Sequence, residues 1–248
     1  MRFKLIACEV FTREICSIAA VTPHLIDMEF TEKDAHNDSA RLREALQRKI
    51  DQVEKEEKKY DAILLAYGLC GNATVNLRAK GTRLIIPRAH DCCTLFLGSK
   101  EKFKGYFSTN PSLAYSSTGY CERGDSYLRS GESRAEMIIG KSRQELVEIY
   151  GPENAEYIWE TISPPYVREG EKVVFIEIPE TKHLGYADKC RAKAEQEKRE
   201  YHEIMGSARL FKKLLYGEWN REDFLVVAPN QRTFGIYDWD EIIGAEDL

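Results

Sequence analysis

Two short apolar runs, Ala62 to Ala66 and Leu84 to Ile86, constrain this chain more than any other feature. Each has the length and branched content of a buried strand, and each leads directly into a polar loop. The first loop holds Tyr67, Gly68, Cys70, Gly71 and Asn72; the second holds Arg88, His90, Asp91, Cys92 and Cys93. Parallel pairing of the two strands would deliver Cys70 beside His90 and Cys92 at the carboxyl edge of the sheet, where open α/β sheets bind ligands.

The remaining pattern repeats this alternation. Phe3 to Val10, Lys172 to Ile178 and Phe224 to Ala228 read as further strands, the last of these closing the series, while Ile26 to Phe30 alternates like a short exposed one. Between them, Leu42, Leu46, Ile50 and Val53 recur at helical spacing behind a cap at Asp38 or Ser39. Helices are expected over Thr94 to Phe103, from a capping box at Ser142 to Glu145 as far as Gly151, from Pro152 to the stop at Pro164-Pro165, over Tyr186 to His202, and over Ser207 to Tyr216. Ala73 to Lys80 reads as a brief helix, and the aromatic stretch Gly105 to Gly131 as a substrate-facing loop or an edge strand. The fold class is therefore α/β, with one or more mainly parallel sheets and flanking helices. The strands before and after residue 130 suggest two Rossmann-like halves around a cleft, 1–130 with the cysteine-histidine loops and 131–248, or one continuous domain.

Bulk properties exclude several partners. A net charge of −5 with a pI near 5.7 leaves no basic footprint for nucleic acid. The first apolar segment is interrupted at Glu9 and Arg13, too early for a signal peptide or spanning helix, so no membrane association is expected and the protein reads as cytoplasmic. Gly68 to Gly71 lacks the lysine and the glycine spacing of either nucleotide fingerprint, so no nucleotide cofactor is expected.

Seven cysteines, an odd number, argue for reduced thiols rather than a disulfide framework. Cys70, His90 and Cys92 have the donor types of a transition-metal site, zinc first, with one coordination position left for substrate or water. Cys93, Cys121 or Cys8 could close that position. Tyr67, Asn72, Arg88 and Asp91 stand where they would orient ligands or substrate; Arg88 could bind a carboxylate or phosphate in bidentate fashion or pair structurally with Asp61, Asp91 or Glu122, and structural pairing is the commoner fate of such a residue. A helix opening at Thr94 would lower the thiol pKa. Two other readings stay open: a nucleophilic Cys92 or Cys70 with His90 as base and Asp91 as its orienter, or buried thiols beside a structural histidine.

At these residues the sequence resembles family 1638 of the domain-of-unknown-function series. The resemblance is carried by Tyr60 to Asn72, Ile86 to Cys92, Thr94 to Ser99, Thr118-Gly119, Gly206-Ser207, Leu214 to Asn220 and Asp223 to Val227. It picks out Cys70, His90 and Cys92; Cys93 stands where the family more often has an aliphatic residue, and Tyr120 where it tends to have tryptophan. Members occur in anaerobic bacteria and archaea, often near genes for corrinoid-dependent methyl transfer. The resemblance implies a role in one-carbon or corrinoid metabolism, with a small-molecule substrate or a corrinoid protein as partner. The expected activity is that of a metal-dependent methyltransferase-type enzyme or of a non-catalytic metal or cofactor carrier.

Overall fold

The computed structural model describes residues 1–33, 38–108, 113–124, 143–162, 172–236 and 238–248. Ser142, Pro164-Pro165 and the expected division at residue 130 lie outside the described residues.

The protein is a mixed α/β fold with a mostly parallel five-stranded sheet and a separate parallel sheet of three strands. In the larger sheet, β1 (Arg2–Cys8) lies between β2 (Leu25–Thr31) and β3 (Ala62–Ala66), and β4 (Leu84–Pro87) follows β3. All four are parallel; β8 (Phe224–Val227) closes the far edge antiparallel to β4. Every residue of β3 and β4 is buried, as their unbroken apolar composition requires. Helix α1 (Thr12–Ala19) connects β1 to β2, and α2 (Ser39–Val53) connects β2 to β3. The α2 amides are capped by Asp38, whose side chain accepts from the Arg41 amide at 2.9 Å, and the helix buries Leu42, Leu46, Ile50 and Val53.

The smaller sheet has the order β5 (Ala114–Ser117), β6 (Lys172–Glu177), β7 (Glu200–Met205), all parallel. Helix α3 (Cys92–Leu97) and α4 (Lys100–Phe107) precede β5, and α5 (Thr118–Glu122) comes after it. Two helices, α6 (Arg143–Tyr150) and α7 (Pro152–Ile162), come before β6, and α8 (Tyr186–Gln196) joins β6 to β7. Then α9 (Arg209–Tyr216) leads back to β8, so the chain leaves the larger sheet and returns to it. One apolar core joins the two sheets, with Phe3, Leu65 and Ile86 from one and Tyr115, Val174 and Ile176 from the other.

Several elements differ from the sequence expectation. The helix expected over 94–103 is two helices broken at Gly98, whose φ of 72° ends α3 before Ser99 caps α4. The long helix from Tyr186 stops at Gln196; Lys198, at φ 56°, turns the chain into β7. Phe224–Val227 is not the last strand, because β9 (Gln231–Gly235) and β10 (Ile243–Asp247) form an antiparallel hairpin after it. Segment 73–80 is a chain of turns rather than a helix, tied to that hairpin where Thr233 accepts from the Leu77 amide and donates to the Thr74 carbonyl. The aromatic stretch contains β5, an edge strand of the smaller sheet. Among the described residues no helix is long and apolar enough to cross a membrane.

Candidate functional site

Three thiols converge at the carboxyl end of the larger sheet. Cys8 is the last residue of β1, Cys70 lies in the loop after β3, and Cys92 opens α3 just beyond β4. Because β1, β3 and β4 are adjacent and parallel, their ends fall on one edge. A cavity of about 10 Å³ is lined by Cys8, Cys70 and Cys92 together with Thr31, Glu32, Lys33, Leu42 and Tyr67. That volume is about one water molecule or one metal ion.

The backbone around the cavity is closely fitted. Gly68 lies against the second loop, where a β-carbon would come within 2.8 Å of the Asp91 amide and the Ala89 carbonyl. The absence of a side chain there lets two backbone bonds clamp the loops, Leu69 N–H to the Ala89 carbonyl at 2.8 Å and Cys70 N–H to the His90 carbonyl at 3.0 Å. Cys70, Gly71 and Asn72 then succeed one another with φ of 46°, 64° and 68°. Two non-glycine residues held in the left-handed region are a local cost that functional loops commonly carry. On the other side Thr31 pairs with Cys8 across β2 and β1, and the Tyr67 hydroxyl bonds the Thr31 hydroxyl, passing over the end of β1.

A residue from α5, the helix that comes after the first strand of the smaller sheet, stands behind Cys92. Tyr120, on α5, is fully buried, near enough to Cys92 to act on its thiol. Its neighbour Gly119 seats α5 against the turn just after Cys8, in contact with the Val10 carbonyl.

The electrostatics oppose ionisation. The Cys92 pKa is raised well above the ordinary thiol value by its hydrogen bond with Cys70, by burial, and by the charges of Cys70 and Asp91; Tyr120 offsets part of this. Burial, and after it the neighbouring Cys92, pushes the Cys8 thiol up as well. The expectation that the helix start would lower the Cys92 pKa is thus overturned, since desolvation and a second thiol outweigh the amides of a six-residue helix. Burial also raises the phenols of Tyr67 and Tyr120.

The other expected site residues occupy different surroundings. His90 packs its ring on Phe103 at 5.3 Å and edge-on to Trp239 at 5.1 Å, and its carbonyl, rather than its imidazole, meets Cys70. Cys93 is wholly buried in the core next to Cys92 and does not line the cavity. Cys121 sits 3.4 Å from the Ser116 hydroxyl and packs with Cys190 beneath the smaller sheet. Asp91 caps α3, accepting from the Thr94 amide at 3.1 Å. Arg88 is structural: its guanidinium donates to the carbonyls of Arg221, Glu241 and Ile243 and meets the Glu241 carboxylate, none of the partners expected from sequence. The Asn72 carbonyl accepts from Arg43, while its side-chain oxygen is buried without a hydrogen bond. Among the described residues, no group of three or more His, Cys, Asp and Glu side chains is arranged to hold a metal ion. The three thiols are a shared pocket, not a formed coordination sphere.

The family model described as "Protein of unknown function (DUF1638)" matches residues 30–215, most of the chain. The chain belongs to this family. The matched DUF1638 segment contains Tyr67, Cys70, Cys92 and Tyr120, whereas Cys8 precedes it. Neither the curated proteins nor the solved structures give a match.

Thr31, Tyr120 and a leading role for Cys8 were missed by sequence reasoning. Cys8 did carry a signal, since its strand ends in the same way as the two central ones. Tyr120 carried only its place in the family resemblance, with nothing to link it to the thiols, because it approaches from another sheet.

Proposed function

We propose that this DUF1638 protein binds one soft metal ion, zinc in the first place, through Cys70 and Cys92, with Cys8 in the position that sequence reasoning gave to His90. The reading is carried by one observation: three thiols from three adjacent parallel strand ends line a single ion-sized cavity. Thiolate donors suit Zn²⁺, Cu⁺ and similar ions, and the ion's own charge would have to displace the protons that burial favours on Cys8 and Cys92. Bound zinc would supply Lewis acidity and hold a substrate thiolate for methyl transfer, the chemistry that the family resemblance implies. The chain's own residues wall the cavity with Tyr67 and Leu42, set Cys8 beside Thr31, which the Tyr67 hydroxyl holds, and place the buried Tyr120 near Cys92.

The narrowness of the cavity favours a second reading, a carrier that holds its metal for a partner such as a corrinoid protein, because a bulky substrate has no room beside the sulfurs. Both readings place the protein in a reducing, cytoplasmic setting. Metal analysis of protein purified without oxygen tests them. One ion per chain, lost in Cys70→Ser and Cys92→Ser and retained in His90→Ala, is the expected result. Full metal content in both serine variants would overturn the site.

A further inference from the structure

Cys8, Cys70 and Cys92 line one ion-sized cavity, and all three are free thiols. They are not equivalent. Cys70 is the first influence on the Cys92 thiol, ahead of burial, and Cys92 in turn is the first side chain to act on Cys8. Cys92 is thus the middle thiol of the three, and Cys70 is the partner it feels most.

The backbone holds that pair in place. The Leu69 and Cys70 amides donate to the Ala89 and His90 carbonyls at 2.8 and 3.0 Å, so the two loops are joined at Cys70 itself and two residues short of Cys92. Gly68 permits this approach, because a side chain there would strike the second loop. A disulfide needs α-carbons roughly 4.4–6.8 Å apart with side chains directed at each other. Loops bonded this close to both cysteines, with both cysteines on one small cavity, let such a bond close with little movement. Cys70 and Cys92 are each 6% exposed, so a small solute can reach them, whereas Cys93 is 0% exposed and outside the cavity. Consecutive residues of α3 also point about 100° apart, which turns Cys93 away from the partner of Cys92.

We infer that Cys70 and Cys92 form an oxidative modification site, at which a hydroperoxide converts the two thiols into an intramolecular disulfide. With hydrogen peroxide, one sulfur attacks an oxygen, forming an S–O bond as the O–O bond breaks, and its proton leaves with the departing oxygen as water. The second sulfur then attacks the first; the S–S bond forms, the S–O bond breaks, and the hydroxyl leaves as water with the second thiol's proton. The two sulfurs lose two electrons, which reduce the peroxide to two waters. The consequence for metal rests on the site proposed above: a disulfide offers no thiolate, so oxidation removes two of the three donors.

Oxidation of the chelator-treated full chain with hydrogen peroxide at pH 8, followed by digestion without reductant and mass spectrometry, tests the assignment. The expected product is a dithiothreitol-sensitive cross-link between the peptide holding Cys70 and the one holding Cys92 and Cys93, with fragmentation placing the bond on Cys92. Cys93→Ser should keep the cross-link and Cys92→Ser should lose it. One bound zinc ion per chain should slow its formation about tenfold or more, since a sulfur held by the ion is not free to attack. Oxidation of the exposed Cys16 without any Cys70–Cys92 cross-link, a bond to Cys8 or Cys93 in its place, or a rate that bound zinc leaves unchanged would overturn the assignment. A chain that forms the cross-link but binds no zinc when reduced would defeat the metal reading and leave the modification site standing.

Discussion

Gly119 and the Val10 carbonyl are in such close contact that a β-carbon at position 119 would come within 1.7 Å of the Val10 oxygen. That contact fixes α5 against the turn after β1, and so determines how near Tyr120 comes to Cys8 and Cys92. The oxygen belongs to backbone and cannot turn aside. Gly119→Ala is therefore expected to destabilise the protein by about 1–3 kcal/mol and to withdraw Tyr120 from the thiols. Gly105 has no atom within 4 Å of its would-be β-carbon and lies within α4. Gly105→Ala should leave stability unchanged or raise it by up to about 1 kcal/mol, the helix-propensity difference. Urea unfolding of both variants decides the matter, and equal midpoints would refute the proposed seat of α5.

The Tyr67–Thr31 bond makes a prediction that a simple loss of packing would not. Both hydroxyls belong to buried residues, so Tyr67→Phe leaves Thr31 with an unsatisfied hydroxyl at a cost of about 1–3 kcal/mol. Adding Thr31→Val to that variant removes the orphan and should recover part of the loss. A double-mutant cycle showing no coupling would mean that the bond does not hold β2 to the loop after β3.

Thiol reactivity should track burial and environment. Cys16 is exposed on α1, whereas Cys8 and Cys92 are buried with pKa values raised by desolvation and by each other or Cys70. Iodoacetamide at pH 7.5, read by peptide mass spectrometry, should label Cys16 about tenfold or more faster than Cys8 or Cys92, because only the thiolate reacts. Unfolding in urea should erase the difference. Preferential labelling of Cys92 in the folded protein would instead favour the nucleophile reading.

The parts of this arrangement that were legible in the sequence are those that depend on strands buried on both faces. Ala62–Ala66 and Leu84–Pro87 had to be internal because no residue in them tolerates water, and internal parallel strands deliver their carboxyl-terminal loops to one edge. Cys70 and Cys92 were thus brought together by inference from pattern alone. His90 was not, because Asp91 is the point at which extended backbone becomes helix, and the alternation of a strand gives no guidance across such a change. Strands β7, β9 and β10 were missed for the opposite reason. They lie at edges or in a two-stranded hairpin with much of their surface in water, so they need no apolar run. Glu14 was invisible among the charged residues of α1, since burial of a single carboxyl depends on α5 and on the loop after β6, both distant in sequence.

That carboxyl also governs how stability should vary with pH. Burial, then the nearby charges of Glu122 from α5 and Glu180 from the loop after β6, push the Glu14 pKa from 4.5 up to about 7, with its own amide and Arg13 on its own helix acting in the opposite sense. Between those two values the folded chain keeps a proton that the unfolded chain has lost. Stability from this group is thus full below about pH 4.5, declines as pH rises, and has gone above about pH 7, a total on the order of 3 kcal/mol. Other carboxylates, such as Asp223 beside Arg209 and Lys213, are held below their ordinary range and gain stability as pH rises, so the Glu14 contribution has to be isolated by difference. Glu14→Gln keeps the shape and removes the titration. Subtracting its urea-unfolding free energy from that of the parent chain at each pH from 4 to 8 should give a difference that moves against the parent by about 3 kcal/mol across the interval and is flat above it. A difference independent of pH would show that Glu14 reaches solvent or a donor in the folded protein.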